Sequence, residues 1–140
     1  MSGLDSIPVQ VEGAAGFRTE NLKPLLKQLE QALLDLAESG RAGVIDLGAM
    51  PFSAQDEEDL RALLGRGEVT ATLAAFGPTL VEETAVPGVW LVEHKDAEER
   101  RLTMHIEITR IPEILVVPAE DLAEGLAALR RLDGADEAED

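Results

Sequence analysis

The two histidines of this chain, His94 and His105, each have a glutamate nearby, Glu93 and Glu107 respectively. Imidazole titrates near neutrality and binds divalent metals, so such a group could run acid–base chemistry or hold an ion. Strand alternation works against convergence, because Glu93 points to the opposite face from His94. A hairpin register that pairs Lys95 with Arg100 also sets His94 about four residues along the ladder from His105, too far to share an ion unaided. No metal or cofactor is therefore expected.

Nucleophilic catalysis needs a hydroxyl beside an oriented base. Ser53 fits a helix cap better, Ser39 ends a helix, and no G-x-S-x-G elbow is present. LLGRGEV, residues 63–69, contains G-x-G but runs from helix into strand and lacks the lysine of a phosphate loop. Gly65 and Gly67 therefore read as structural turns. Glu82 and Glu83 are neighbours in an extended segment, so they point to opposite faces and cannot act as a pair.

The lone tryptophan, Trp90, follows the Pro87-Gly88 turn in ETAVPGVWLVEH, residues 83–94. Tryptophan there either fills a core under the C-terminal helix or anchors an interface. Alternation puts it opposite the better-supported core face, which favours the interface.

These side chains must be carried by a chain of 140 residues, long enough for one domain with its own core. Hydrophobic residues make up 45% and aromatics 3%, so the core is aliphatic and stacking faces for bases are scarce. No cysteine is present, which excludes disulfides, iron–sulfur ligation and thiolate zinc and suits a reducing cytoplasm. With 28 acids against 12 bases the net charge is -16, which repels nucleic acid and anionic lipid and attracts basic protein segments. Neither an export signal nor a spanning segment is legible, so a soluble, cytoplasmic protein is expected.

Ile7, Val9 and Val11 alternate as a short strand. Leu22, Leu25, Leu26, Leu29, Leu33 and Leu36 form a helical stripe, with Asn21 to cap its start and Gly40 to close its end. GVIDL, residues 43–47, follows as a strand, expected parallel to the first through a right-handed crossover. Ser53 and Asp56 form a capping box for a second helix that buries Leu60, Leu63 and Leu64. Residues 68–76 and TLVEETA read as strands. Leu122, Leu126 and Leu129 mark a third helix.

GVWLVEH and RLTMHIEIT form a hairpin. With Leu102, Met104, Ile106 and Ile108 inside, Val89 and Leu91 must share their face, which demands odd residues opposite even ones. Pairing Lys95 with Arg100 satisfies this and sets Val89 opposite Ile106, Leu91 opposite Met104, Trp90 opposite His105 and Val92 opposite Thr103. Trp90, Val92, His94, His105 and Glu107 then line the outer face.

Taken in order, PVQV, NLKPLLKQLEQAL, VIDL, PFSAQDEEDL, LLGRGEV, ETAVPGVWLVEH and IEITRIPEIL cover most of residues 7–116. This train resembles the C-terminal domain of the HupH/HyaF-type hydrogenase expression and formation family, whose members are often longer than this chain. The resemblance implies a non-enzymatic accessory role in nickel-iron hydrogenase maturation. It further implies a chaperone for a hydrogenase subunit precursor, the small iron–sulfur subunit, or contact with other maturation proteins. A precursor with an arginine-bearing leader would be drawn to the acidic surface. No catalytic residues come with the family; the matching positions are Gly65, Gly67, Glu68, Val69, Glu83, Gly88, Val89 and Trp90.

The expectation is an α+β domain over residues 1–132 and an acidic disordered tail, residues 133–140. Its sheet is mixed, mainly antiparallel and five- or six-stranded, with two to three helices packed on one face. Partner binding is expected at Glu68, Glu83, Gly88, Trp90, Val92 and His105, with Gly65, Gly67 and Pro87 shaping the turns. The alternatives are a small metal-dependent or acid–base enzyme using His94, His105 and Glu107, or a structural subunit of a larger assembly.

Overall fold

The computed structural model describes residues 16–74 and 77–134. The strand expected at Ile7 to Val11, the end of the one expected over 68–76, and most of the acidic tail lie outside them. The described residues form two compact units, one ending at Arg110 and one beginning at Ile111.

In the first unit the leucine stripe folds as helix α1, Leu22–Ser39, with Leu25 and Leu29 buried. It ends as expected at Gly40, whose φ of 76° lets its N–H reach the Leu36 carbonyl. The cap at its start differs. Asn21 has helical backbone angles and makes no side-chain cap bond; its amide instead donates to the Pro51 carbonyl at 2.6 Å.

Strand β1, Gly43–Asp46, leads into α2, Ala54–Leu64. The capping box is present: Asp56 N donates to Ser53 Oγ and Ser53 N to the Asp56 carboxylate, each at 3.0 Å. Burial alone would raise the Asp56 carboxyl, but hydrogen bonds from Ser53 and Thr19 outweigh it and hold the group below the usual carboxylate range. The buried face of α2 runs Asp56, Leu60, Leu64, one residue every four. Leu63, expected in that stripe, lies off this row and is 61% exposed.

Strands β2 (Thr70–Leu73), β3 (Thr79–Glu83), β4 (Val89–Lys95) and β5 (Arg101–Ile108) complete a five-stranded sheet in the order β1-β5-β4-β3-β2. The α+β architecture is as expected, and every described pair is antiparallel. β1 pairs with β5; the parallel partner expected for it falls outside the described residues.

Leu25, Leu29, Leu60 and Leu64 pack with Val89, Leu91, Met104, Ile106 and Ile108 in one core, so α1 and α2 cover the same face of the sheet. That is the inward set derived from alternation, apart from Leu102, which is 62% exposed. Burying each such side chain stabilises by roughly 1.5–3 kcal/mol.

The second unit holds the third helix, α3, Asp121–Leu132. Asp121 and Glu124 lie in its first turn and Arg130 and Arg131 in its last, matching the helix dipole at both ends.

Candidate functional site

The stretch from Glu83 to Trp90 is fixed by a tight turn. Val89 N donates to the Val86 carbonyl at 3.1 Å, with Pro87 and Gly88 in the central positions. Proline presets φ at the first of these, and the second needs the positive φ that Gly88 has, 93°. A Cβ on Gly88 would also sit 3.0 Å from Leu33 Cδ1, so the turn lies directly against α1. Thr84 is buried beneath it, and its hydroxyl donates to the Val89 carbonyl at 2.8 Å and accepts from Val86 N at 3.1 Å.

LLGRGEV clasps this turn from the other side. Gly67 N donates to the Glu83 carbonyl, Glu83 N to the Val69 carbonyl and Ala85 N to the Leu64 carbonyl, all at 2.9 Å. Glu68 N donates to Glu83 Oε1 at 3.0 Å. A Cβ on Gly67 would lie 2.5 Å from the Thr84 carbonyl oxygen, so only glycine allows this approach. The G-x-G thus ends a helix and joins two segments. As alternation required, Glu82 and Glu83 part company: Glu82 pairs with Arg61 at 3.1 Å, on the helix-covered side.

Between this joint and the end of α1 lies a cleft of about 650 Å³. Leu33, Leu36 and Ala37 form its apolar wall, and Glu83, Pro87, Gly88 and Trp90 the side opposite; Arg110 also lines it. The volume falls in the range of sites that take a small ligand or a few side chains. Its charges come from Glu83, Arg110 and the negative end of the α1 dipole, where no basic residue occupies the last turn. Arg110 has no ion pair among the described residues. Leu33, Leu36, Ala37 and Arg110 had no place in the sequence-derived site. The leucine stripe at 33 and 36 was legible, but its second use as a cleft wall depends on where the Pro-Gly turn docks.

Trp90 does not stand free. Its side chain lines the cleft, yet the residue is only 6% exposed and its indole N–H donates to the Thr109 carbonyl at 3.1 Å. Val92, expected beside it on an open face, is 1% exposed, and Val81 across from it is fully buried. Both faces of β4 are therefore interior here. Alternation assigns a residue to a face; whether that face is covered is decided elsewhere in the fold.

The hairpin register also differs. Trp90 pairs with Glu107, Val92 with His105 and His94 with Thr103, two residues from the expected alignment but with odd still facing even, and a bulge between His94 and Lys95 then sets Lys95 opposite Arg101. The cause is the loop. The Asp96 carboxylate accepts from Glu98 N at 2.9 Å and Arg100 N at 2.8 Å, Asp96 N donates to the Arg100 carbonyl, and Glu99 takes a φ of 65°. The slip brings His94 and His105 together, with ring centroids 5.6 Å apart rather than four residues along the ladder. His94 Nδ1 lies 2.8 Å from Thr79 Oγ1, and His105 Nε2 2.8 Å from Glu107 Oε2. Ser53 and Ser39 stay apart from them, bonded to local backbone. Among the described residues no group of three or more His, Asp or Glu side chains is arranged to hold a metal ion. None of the described helices is long and apolar enough to cross a membrane.

Residues 19–134 match the family described as HupH hydrogenase expression protein, C-terminal conserved region. The hydrogenase expression/formation protein HupQ of Azotobacter chroococcum mcd 1 is 34% identical over 114 residues, covering 80% of this chain and 40% of that protein. HupH of Rhodobacter capsulatus is 31% identical over 93 residues, covering 66% and 34%. The chain thus spans about two fifths of the length of the curated relatives it matches, or less. The solved structure of the hydrogenase expression protein HupH from Thiobacillus denitrificans ATCC 25259 aligns with a TM-score of 0.79 at 43% identity, over 86% of this chain and 99% of that one. By the extent of the family match, which includes the clasped turn and the cleft, the chain belongs to the HupH hydrogenase expression protein family through its C-terminal conserved region.

Proposed function

We propose that this chain serves hydrogenase maturation as a non-enzymatic accessory protein, and that it holds a hydrogenase subunit precursor, the small subunit, in the cytoplasm. The names of its relatives support the process. One structural observation supports the mode of action: two of the motif stretches behind the family resemblance, LLGRGEV and ETAVPGVW, fold into one joint, and the second of them walls the cleft against α1. That cleft has an apolar lining and two opposed charges but no nucleophile, which suits recognition of a polypeptide better than covalent chemistry. The net charge of -16 favours a client with a basic segment and disfavours nucleic acid.

In this reading Glu83, Pro87, Gly88 and the exposed edge of Trp90 meet the client beside Leu33 and Leu36, and Glu68 fixes the Glu83 carboxylate. Val92 and His105 act indirectly, Val92 as packing beneath the sheet face. The test is co-purification with the small-subunit precursor from cells that make a hydrogenase. Ala37 lines the cleft, is exposed and is helical, so Ala37→Arg blocks the cleft without disturbing the core. The variant is expected to keep its melting temperature and lose at least about tenfold of the retained precursor, a change near 1.4 kcal/mol. Equal retention by variant and wild type removes the cleft from the proposal.

A further inference from the structure

We infer that His94 and His105 form an open two-imidazole site for a borderline divalent cation of the zinc class. The site lies across β3, β4 and β5, and does not depend on the reading of the cleft. Its basis is the way each ring is tied. Thr79, bonded to His94 Nδ1, belongs to β3, on the opposite side of β4 from β5. Glu107, bonded to His105 Nε2, lies along β5 on the side away from Thr103, the residue opposite His94. Each imidazole is thus tied, through one nitrogen, to a partner on the side away from the other ring. The tie leaves the second nitrogen of each ring, His94 Nε2 and His105 Nδ1, available to an ion held between the rings.

The spacing fits one ion. Metal–nitrogen bonds of about 2.0–2.1 Å in tetrahedral geometry place two ring centres about 5 to 6 Å apart, and the observed separation is 5.6 Å. With His94 Nδ1 and His105 Nε2 carrying the proton, the Thr79 hydroxyl and the Glu107 carboxylate would accept the outer N–H, the kind of tether that fixes the tautomer and orients the ring of a metal-binding histidine. With no third protein ligand among the described residues, water or a ligand from outside completes the shell, so the site is open. Two neutral nitrogens select zinc-class ions over magnesium and calcium, which prefer oxygen.

The test is a calorimetric titration of chelator-treated full-length chain with Zn²⁺, in excess Mg²⁺ to occupy the acidic surface. One Zn²⁺ per chain is expected. His94→Ala and His105→Ala should each weaken binding at least about tenfold, and Glu107→Gln, which leaves both ligands in place, by about tenfold. Because the chain has two histidines, their ring NMR signals can be followed in the wild type, and Zn²⁺ should shift both together. Absence of stoichiometric binding, unchanged binding in the His94→Ala/His105→Ala double variant, or movement of one ring signal without the other overturns the inference.

Discussion

Strand β4 is anchored differently at its two ends. Its start is fixed by backbone constraints: proline at 87, a positive φ at Gly88, and a buried hydroxyl from Thr84. Its far end is fixed by ionised side chains. Asp96 organises the loop, while Arg101 reaches both carboxylate oxygens of Glu57 at 2.8 Å and Glu93 at 2.7 Å. The first kind of anchor is written in residue type, since proline and glycine restrict or release φ by themselves. The second is assembled from groups on α2, β4 and β5, so no short stretch of sequence contains it.

The largest expected effect comes from breaking the backbone-made end. Gly67→Ala puts a methyl group 2.5 Å from the Thr84 carbonyl oxygen and 2.7 Å from Glu83 Oε1. The side chain can move, but the carbonyl belongs to the turn and cannot. Overpacking of this kind costs about 2–3 kcal/mol. Urea denaturation should show a lower midpoint at unchanged slope, because the loss is in stability rather than in the surface exposed on unfolding. A midpoint within error of the wild type would mean that the two motifs separate easily and the joint is not rigid.

The same contrast explains what was legible. The turn at Pro87-Gly88, the capping box at Ser53 and the inward faces of β4 and β5 follow from local rules, and the structure has them. Alternation gave the parity of the hairpin correctly, because a slip of one residue would have moved Ile106 and Ile108 out of the core. A slip of two leaves every side chain on its own face, so the hydrophobic pattern cannot detect it. The position of His94 beside His105 depended on that second kind of information. Trp90 and Val92 fell to a related gap: period-two reasoning separates two faces but does not say that both are covered. Arg110 carried no signal at all, since a charged residue just past a strand is ordinary until a helix end and a turn enclose it.

A smaller effect is expected from the side-chain-made end. Asp96→Ala removes the acceptor for Glu98 N and Arg100 N and the 3.1 Å pair with Arg100. These groups are partly solvated, so water replaces much of what is lost and the cost should be about 1–2 kcal/mol. The informative measurement is the cross-strand amide contacts by NMR. If the loop sets the register, Val92–His105 proximity weakens while the pairing of Trp90 with Glu83 on β3 stays. If both persist, the Arg101 fork alone holds the alignment.

The smallest effect separates the two ends by pH. The hydrogen bonds from Arg101, opposed by burial and assisted by the Arg101 charge and by Arg61, hold the Glu57 carboxyl below the ordinary glutamate range. A group whose folded value is depressed stabilises fully above its unfolded value, about 4.3 for glutamate, and loses that contribution as pH falls through the lower folded value. Arg101 is 41% exposed, so solvent screening limits the pair to about 0.5–1 kcal/mol. Glu57→Gln should therefore be less stable than the wild type at pH 7, with the gap closing as the pH is lowered below 4.3. Gly67→Ala changes no charge, so its deficit should stay constant over the same range. Denaturation midpoints of the three proteins from pH 7 down to pH 3 would show it; a Glu57→Gln gap that does not narrow in acid would mean that this carboxylate contributes by packing rather than by charge.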